Sequence, residues 1–360
     1  MEKKKVCPDC ESTDVGLDRR DFLRTVGATA AAVSAASLPL FATARAAESA
    51  AAPTKASAAE TAVKGLYETL TDAQKKEICF AWDFVETTGK KRGLLRTHVS
   101  NNWQITEPHI RSEFFTKKQQ MIIHDVWKGI INPEWEAKFR KQLKDDTDGE
   151  EWGAQQSIAI FGTPGSDQFE FVMTGRHMTL RADGNTESHV AFGGPIFYGH
   201  AASGFKERVH HPNNVFWPQA IQANKIYTLL DGKQQQKALV TARPKESAIS
   251  FRGGKGGIPG IRVAELSGDQ KKELQKTLMM LLDPFRKEDQ AEALACIKKQ
   301  GGLDKCGLAF YKDGDIGEDG EWDNWRLEGP SFVWYFRGSP HVHVWVNVAD
   351  DPSVKTNARG

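Results

Sequence analysis

Two histidines near the C-terminus, His341 and His343, are the residues best placed for chemistry in this 360-residue chain. They lie at the start of a segment in which the valines from Val342 to Val348 alternate with polar and aromatic residues. This period of two predicts a half-buried strand whose valines face the core. Residues two apart on a strand are separated by roughly 6.5–7 Å, so both imidazoles could reach one metal ion. The spacing therefore predicts a metal site on the polar face of this strand.

Two further histidines lie in segments that such a site could use. His177 follows a strand pattern and shares the parity of its apolar residues, so it could equally point into the core. His200 ends a glycine-rich loop of the kind that lines binding sites. Histidines from one strand and from elsewhere often bind a mononuclear zinc, copper or iron ion. We predict that His177, His341 and His343 bind a divalent transition metal, and that His200 is either a fourth ligand or a neighbour of the ligands. The alternative is that these histidines are ordinary surface or packing residues.

Glu328 and Arg337 flank a predicted strand, Ser331–Phe336, that precedes the paired histidines. A carboxylate near a metal could act as a ligand or as the general base for an activated water. An arginine there could bind an anionic substrate, or the two side chains could pair with each other. Two chemistries are open: hydrolysis with Glu328 as base, or oxidation on copper or iron, which needs no such base. A non-catalytic extracytoplasmic protein that binds a small molecule or a partner is the alternative from another class.

Helical and strand periodicities predict an α+β fold in which outer helices surround two antiparallel β segments. The predicted helices are 60–69, 72–82, 110–131, 134–143, 220–230, 232–239, 268–282 and 291–299. The predicted strands are 157–161, 169–174, 178–181, 190–192 and a closing region that begins near residue 307. Gly and Pro clusters separate the strands and predict tight turns.

The start of a helix is repeated along the chain. Leu70–Glu77 nearly matches Leu266–Glu273, and Leu230–Gln234 is a looser copy. The first two contain a Thr or Ser followed three residues later by Gln, which is the pattern of a capping box. Because the spacing of the copies is unequal, we interpret them as similar capping chemistry and not as a repeat fold.

The N-terminal residues predict export. Asp18–Arg24 resembles a twin-arginine export motif, an apolar run follows, and Ala44–Ala46 is an A-x-A cleavage site. We predict a signal peptide over residues 1–46, recognised by the twin-arginine export machinery, and a periplasmic or secreted protein. The alternative is a membrane anchor, but the run is rich in alanine and barely long enough, so no stable anchor is expected. The predicted remainder is a disordered linker over 47–58, one domain over 59–350 and a tail over 351–360.

The charge balance bears on the binding partners that can be expected, and the cysteine content bears on possible disulfides. The leader holds seven Lys/Arg and six Asp/Glu, so the totals of 48 and 47 fall to 41 and 41 without it. With this balance and no charged tail, no nucleic-acid partner is expected. Outside the leader, Cys79 lies in a helix pattern, and the spacing of Cys296 and Cys306 permits a disulfide.

Several motifs together resemble one protein family. They are Phe161–Pro164, Gly175–His177, Pro195–Gly199, Leu327–Ser331 and His341–Trp345. Over roughly residues 60–350 the chain resembles DUF3500, a family of proteins of unknown function. The family pattern has Gly-His-His on the earlier strand, where this chain has Arg176 before His177. It also has an arginine soon after the late His-x-His, where this chain has Val346 and Asn347. The resemblance implies a shared site and names no reaction.

Overall fold

The computed structural model describes residues 51–202, 213–254, 256–317 and 319–358. The helices are α1 (Ala58–Thr69), α2 (Asp72–Ile78), α3 (Lys117–Ile130), α4 (Glu136–Asp146), α5 (Trp217–Leu229), α6 (Gly232–Ala238), α7 (Gly268–Leu282) and α8 (Lys287–Lys299). The longer strands are β5 (Ser157–Gly162), β6 (Phe169–Gly175), β7 (Met178–Ala182), β8 (Ile196–His200), β11 (Gly307–Tyr311), β12 (Asn324–Gly329), β13 (Phe332–Arg337) and β14 (Val342–Val348). Seven strands have two residues each: β1 (Cys79–Phe80), β2 (Val85–Glu86), β3 (Gly93–Leu94), β4 (His98–Val99), β9 (Leu239–Val240), β10 (Ile261–Arg262) and β15 (Asn357–Ala358).

One mixed sheet of 11 strands forms the centre of the fold. Its order is β1-β5-β6-β7-β8-β14-β13-β12-β11-β10, and β9 also pairs with β11. The pairings of β1 with β5 and of β9 with β11 are parallel, and the other pairings in this sheet are antiparallel. The two halves of the sheet meet where β8 pairs with β14, with Val344 opposite Tyr198.

The chain repeats one order of elements on the two sides of this junction. Two helices and a short strand, then two more helices and a four-stranded meander, occur first in α1–β8 and again in α5–β14. The registers agree as well, because Cys79 lies opposite Ile160 in one half and Leu239 lies opposite Phe310 in the other. The fold is therefore two copies of one unit joined edge to edge through their last strands.

Paired glutamines show that the helix starts belong to this repeat. The buried amides of Gln74 and Gln119 exchange two hydrogen bonds of 3.0 Å. The amides of Gln234, which is half-buried, and Gln270 exchange two of 3.2 and 2.8 Å. Each glutamine is the third residue of its helix and completes a capping box. The predicted capping boxes at Thr71 and Ser267 are confirmed. The interpretation of the copies as similar capping chemistry without a repeat is incomplete, since each start is half of a matched helix–helix contact.

The helices pack on one face of the sheet and irregular segments cover the other. The main core joins helix residues such as Val63, Ile226 and Leu278 to Val344 and Val346 of β14. Loop residues cover the opposite face. Leu95, Trp103 and Ile105 pack on Phe161 and Val172, and Ile249 packs in a cluster with Phe197, Tyr335 and Trp345. Among the described residues, no helix is long and apolar enough to cross a membrane.

The structure extends and corrects the predicted fold. The protein is mixed α/β, but its strands form one large mixed sheet and not two antiparallel segments. The predicted half-buried strand, β14, is buried on both faces, because loops cover the face opposite the valines. Ala191–Gly193 forms a 3-10 turn where a strand was predicted. The predicted leader lies outside the described residues. In the predicted linker, Pro53 is buried and α1 begins at Ala58.

Candidate metal centre

Three buried histidines converge at one end of the β8–β14 junction. The Nε2 atom of His343 lies 2.8 Å from Nε2 of His341 and 3.1 Å from Nε2 of His177. One ring nitrogen from each residue lies within 4.8 Å of the other two. Each residue is only 4–6% exposed. The three side chains therefore present a compact set of nitrogens to a common point.

A tight turn and one long strand place these side chains. His343 belongs to β14, and His341 comes one residue before that strand begins. His177 lies in the turn between β6 and β7 and has a φ of 52°. Its backbone N–H donates to the carbonyl oxygen of Asn101 at 3.2 Å. This left-handed turn breaks the strand parity that would have directed His177 into the apolar core.

Carboxylates determine which nitrogen carries the proton in two of the rings. Nδ1 of His177 lies 2.8 Å from Oδ2 of Asp146, and Nδ1 of His343 lies 2.7 Å from Oε2 of Glu246. An ionised carboxylate only accepts, so each Nδ1 is the donor and each Nε2 keeps its lone pair. When both rings are neutral, two such lone pairs face each other at 3.1 Å. A bound cation relieves that repulsion.

The electrostatics keep His343 neutral. Burial lowers its pKa well below the usual 6.5, and the nearby Arg337, His177, His341 and Arg176 lower it further. Burial is the largest single effect on Asp146 and works to raise its pKa. The hydrogen bonds from His177 and Gln142 and the charges of His177 and His200 together outweigh burial, so the pKa of Asp146 lies below its usual value. A neutral imidazole such as that of His343 is the state in which a histidine binds a metal ion.

The geometry fits a divalent transition metal. Three nitrogens at about 2.0–2.1 Å from a tetrahedral ion are roughly 3.3 Å apart, close to the separations of His343 from its two neighbours. Carboxylates that accept from the other ring nitrogen are the usual outer partners of metal-binding histidines. Imidazole donors suit zinc, copper, iron and nickel. Three protein ligands leave one position for water or substrate, which is typical of catalytic and not of structural zinc sites.

The structure does not bring His200 into this cluster. Its Nε2 donates to Oδ2 of Asp145 at 3.0 Å, and its Nδ1 accepts from the backbone of Val215 at 3.1 Å. Its register partner on β14 is Val342, so its side chain lies on the valine face, opposite that of His343. The prediction of His200 as a ligand or a residue beside the metal is therefore wrong. Both of its nitrogens are already used, and burial lowers its pKa.

Glu328 is also far from the histidines. It pairs with Val333 of β13, which pairs with Asn347 of β14, so two strands and four residues separate it from His343. At about 4.8 Å per strand and 3.4 Å per residue, that separation is roughly 16 Å. Its Oε1 atom accepts from Arg326 at 2.9 Å and from Arg252 at 2.7 Å. Glu328 is a buried ion-pair residue, and the prediction that it is a catalytic base is wrong.

Arg337 does lie at the centre, together with a carboxylate that the sequence did not indicate. Arg337 lies opposite His343 in the β13–β14 register and donates to the carbonyl of His341 at 3.2 Å. Its Nη1 atom is 2.9 Å from Oε1 of Glu246. Glu246 also accepts from Trp345 Nε1 at 3.2 Å. Arg337 therefore holds Glu246 and the His341 backbone in place.

Fold and site together define a two-unit mixed α/β protein with a three-histidine centre at the junction of its units. The chain belongs to the DUF3500 family, whose description is "Protein of unknown function"; the family model matches residues 52–349. The resemblance inferred from the sequence motifs is thereby confirmed. No curated protein and no solved structure matches the chain.

Proposed function

We propose that this protein is an enzyme that uses one divalent transition metal ion, held by His177, His341 and His343. One observation carries the proposal: three buried Nε2 atoms converge, and Asp146 and Glu246 hold the Nδ1 atoms of two of the rings, so that each of these rings, when neutral, presents an Nε2 lone pair to the common point. Packing alone gives no reason to set three imidazole nitrogens against each other in this protonation state. A histidine with a purely structural role usually pairs with a donor or an acceptor of opposite character.

The ligand set favours Lewis-acid chemistry. An ion on three neutral imidazoles keeps its full charge of two and lowers the pKa of a coordinated water towards 7. The protein's part is to hold the rings in place. Asp146 and Glu246 fix two of the rings, and Arg337 offsets the charge of Glu246. Phe197 packs edge-on against the ring of His343, with ring centroids 5.2 Å apart.

Hydrolysis is the reaction that this centre supports best. With Glu328 roughly 16 Å away and with Asp146 and Glu246 both held by histidines, no predicted carboxylate base remains. The reaction therefore depends on the acidity of the coordinated water, as is possible at a three-histidine zinc site. Oxidation on copper or iron is the second candidate, because it needs an open coordination position and no carboxylate base. The metal that the protein retains on purification distinguishes the two.

Activity measurements on a defined metal state test the proposal. The protein would be loaded with zinc and assayed for hydrolysis of p-nitrophenyl acetate and p-nitrophenyl phosphate, alongside its His343→Ala variant. We expect hydrolysis by the zinc-loaded protein that falls at least about a hundredfold in the variant. Glu328→Gln is the matched control, and it should retain the activity. Equal rates in wild type and His343→Ala would overturn the proposal.

A non-catalytic binding protein is the competing class. It predicts that the metal binds, that no hydrolysis or oxidation is detectable, and that a small molecule is retained on purification. Mass spectrometry of the denatured protein would detect such a molecule. A retained ligand together with silent activity assays would therefore replace the enzyme proposal with the binding one.

We further propose export through the twin-arginine machinery to the periplasm or the cell exterior. The support is in the sequence alone: Arg19 and Arg20 in the motif, the apolar run and the Ala44–Ala46 cleavage site. Cell fractionation of the full chain and of a variant with Arg19→Lys and Arg20→Lys tests this proposal. The wild type should be processed and extracytoplasmic, and the variant should stay in the cytoplasm. Equal distributions would overturn it.

A further inference from the structure

A basic cleft lies beside the turn that carries His177. Its volume is about 820 Å³, which is within the range of small-molecule sites. Residues 89–93 form one side of it, and His98 with residues 100–103 forms the other. Lys90, Lys91 and Arg92 contribute three cationic side chains, and none of the ten residues that line the cleft is acidic. Such a lining favours an anionic ligand.

The cleft and the metal centre share a wall. The carbonyl oxygen of Asn101, which lines the cleft, accepts the backbone N–H of His177. The next residue, Asn102, forms an isolated antiparallel bridge with Arg176. Arg176 is half-buried and directly precedes His177 in the turn. A molecule seated in the cleft is therefore next to the His177 turn.

The rest of the lining suggests an organic anion. Lys91 is held by its donation to the carbonyls of Gln104 and Ile105, at 3.2 and 3.1 Å, which orders the basic loop. Trp103 adds an aromatic surface and packs edge-on against His98, with ring centroids 4.5 Å apart. Ser100 and Asn102 add polar side chains. Cationic, polar and aromatic groups together suit a carboxylate or phosphate that is attached to an apolar group.

We propose that this cleft binds the anionic group of the substrate, a carboxylate or a phosphate monoester, and so places the reacting bond at the three-histidine centre. This proposal rests on the proposed function, because the bound anion is a substrate only if the protein is an enzyme. Binding in the cleft does not depend on the metal, because none of the three histidines lines it. Lys90 and Arg92 are the residues assigned to bind the anion, since both side chains are exposed on the cleft wall.

Calorimetric titration with phenyl phosphate and with benzoate tests the assignment and separates the two anion classes. The full chain would be titrated in zinc-loaded and metal-free forms, next to a Lys90→Gln/Arg92→Gln variant. A Lys117→Gln/Lys118→Gln variant removes the same charge from exposed positions on α3 and is the matched control. We expect at least one ligand to bind both metal forms. Its affinity should weaken about tenfold in the cleft variant and with added salt, and stay unchanged in the control.

Three results would overturn the assignment. These are no binding of either ligand, equal affinity in wild type and cleft variant, or binding only to the zinc-loaded form, which would place the anion on the metal itself. Zinc content measured on the same samples keeps this test separate from that of the metal centre. A protein that holds zinc but no anion refutes the cleft alone, and one that holds neither refutes both.

Discussion

Asp146 and Glu246 accept hydrogen bonds from the Nδ1 atoms of two histidines whose Nε2 atoms lie 3.1 Å apart. Asp146 ends α4 in the first unit of the chain, and Glu246 lies in the loop after β9 in the second. Each unit therefore contributes one carboxylate and the histidine that it orients: Asp146 with His177 in the first unit, and Glu246 with His343 in the second. The centre therefore forms only when the two units are joined, because neither unit contains all three histidines.

The first prediction concerns these two carboxylates. Asp146→Asn and Glu246→Gln should each weaken zinc affinity by about 10- to 100-fold, because the ring that loses its acceptor loses basicity and orientation. Competition titration with a zinc-binding dye measures the affinity. Glu328→Gln, a buried carboxylate on β12, is the control and should leave it unchanged. If the control weakens zinc binding as much as the test variants do, the loss reports general destabilisation and the role assigned to the carboxylates fails.

The second prediction concerns His200. Because both of its nitrogens are occupied on the valine face of the sheet, His200→Gln should keep a full equivalent of zinc. It should lower the free energy of unfolding by about 1 kcal/mol, since the half-buried N–H of Val215 loses its acceptor. Metal analysis and urea denaturation measure the two quantities. Loss of metal from a folded His200→Gln protein would return this histidine to the ligand set.

The third prediction tests the repeat in the fold. Gln119→Ala and Gln270→Ala each leave the amide of the partner glutamine, Gln74 or Gln234, without its reciprocal bond. Each substitution should cost about 1–3 kcal/mol in urea unfolding, and the two costs should be similar. Gln275→Ala, at an exposed position of α7, is the control and should cost little. A large cost at only one of the two glutamines would argue against equivalent roles in the two units.

The fourth prediction concerns pH and Glu292. Burial, together with the charges of Asp183 and Asp289, raises the pKa of Glu292 well above 4.5. Its Oε1 atom has no hydrogen-bond partner among the described residues. Above pH 4.5 the folded state holds a proton that the unfolded chain releases, so this residue lowers the stability as pH rises. Glu292→Gln removes that effect.

As the pH rises from about 5 to 8, Glu292→Gln should therefore gain stability relative to the wild type. The gain is of order 1 kcal/mol for each pH unit over which Glu292 is protonated in the folded wild type and ionised in the unfolded chain. Urea denaturation at the two pH values measures the difference. Glu134→Gln, at an exposed position, is the control and should show no such trend. A variant that is less stable at the higher pH would show that Glu292 is ionised in the folded protein.

Local patterns were sufficient to predict most elements and part of the site. The capping box at Ser267 predicted α7 at its observed bounds, and the alternating valines predicted the core face of β14. His341 and His343 are close in sequence, so strand geometry alone placed them together. His177 joined them although its parity was ambiguous, because a left-handed turn reoriented it.

What local patterns could not predict was long-range pairing. Asp146 was only part of an acidic stretch, and Glu246 lay in a loop without a motif, yet each becomes a partner of a histidine far away in sequence. Glu328 and His200 failed for the same reason, since only the strand order shows that one is remote and the other is on the opposite face. The register of the sheet is the information that a single sequence lacked.

Metal content of the purified full chain tests the central claim most directly. After loading with zinc and desalting, elemental analysis should find about one equivalent per wild-type chain, and X-ray absorption should show three nitrogen donors at about 2.0–2.1 Å. His343→Ala, verified as folded by circular dichroism, should retain less than about a tenth of that amount. Wild-type protein without metal after reconstitution, or equal metal in His343→Ala, would contradict the three-histidine centre.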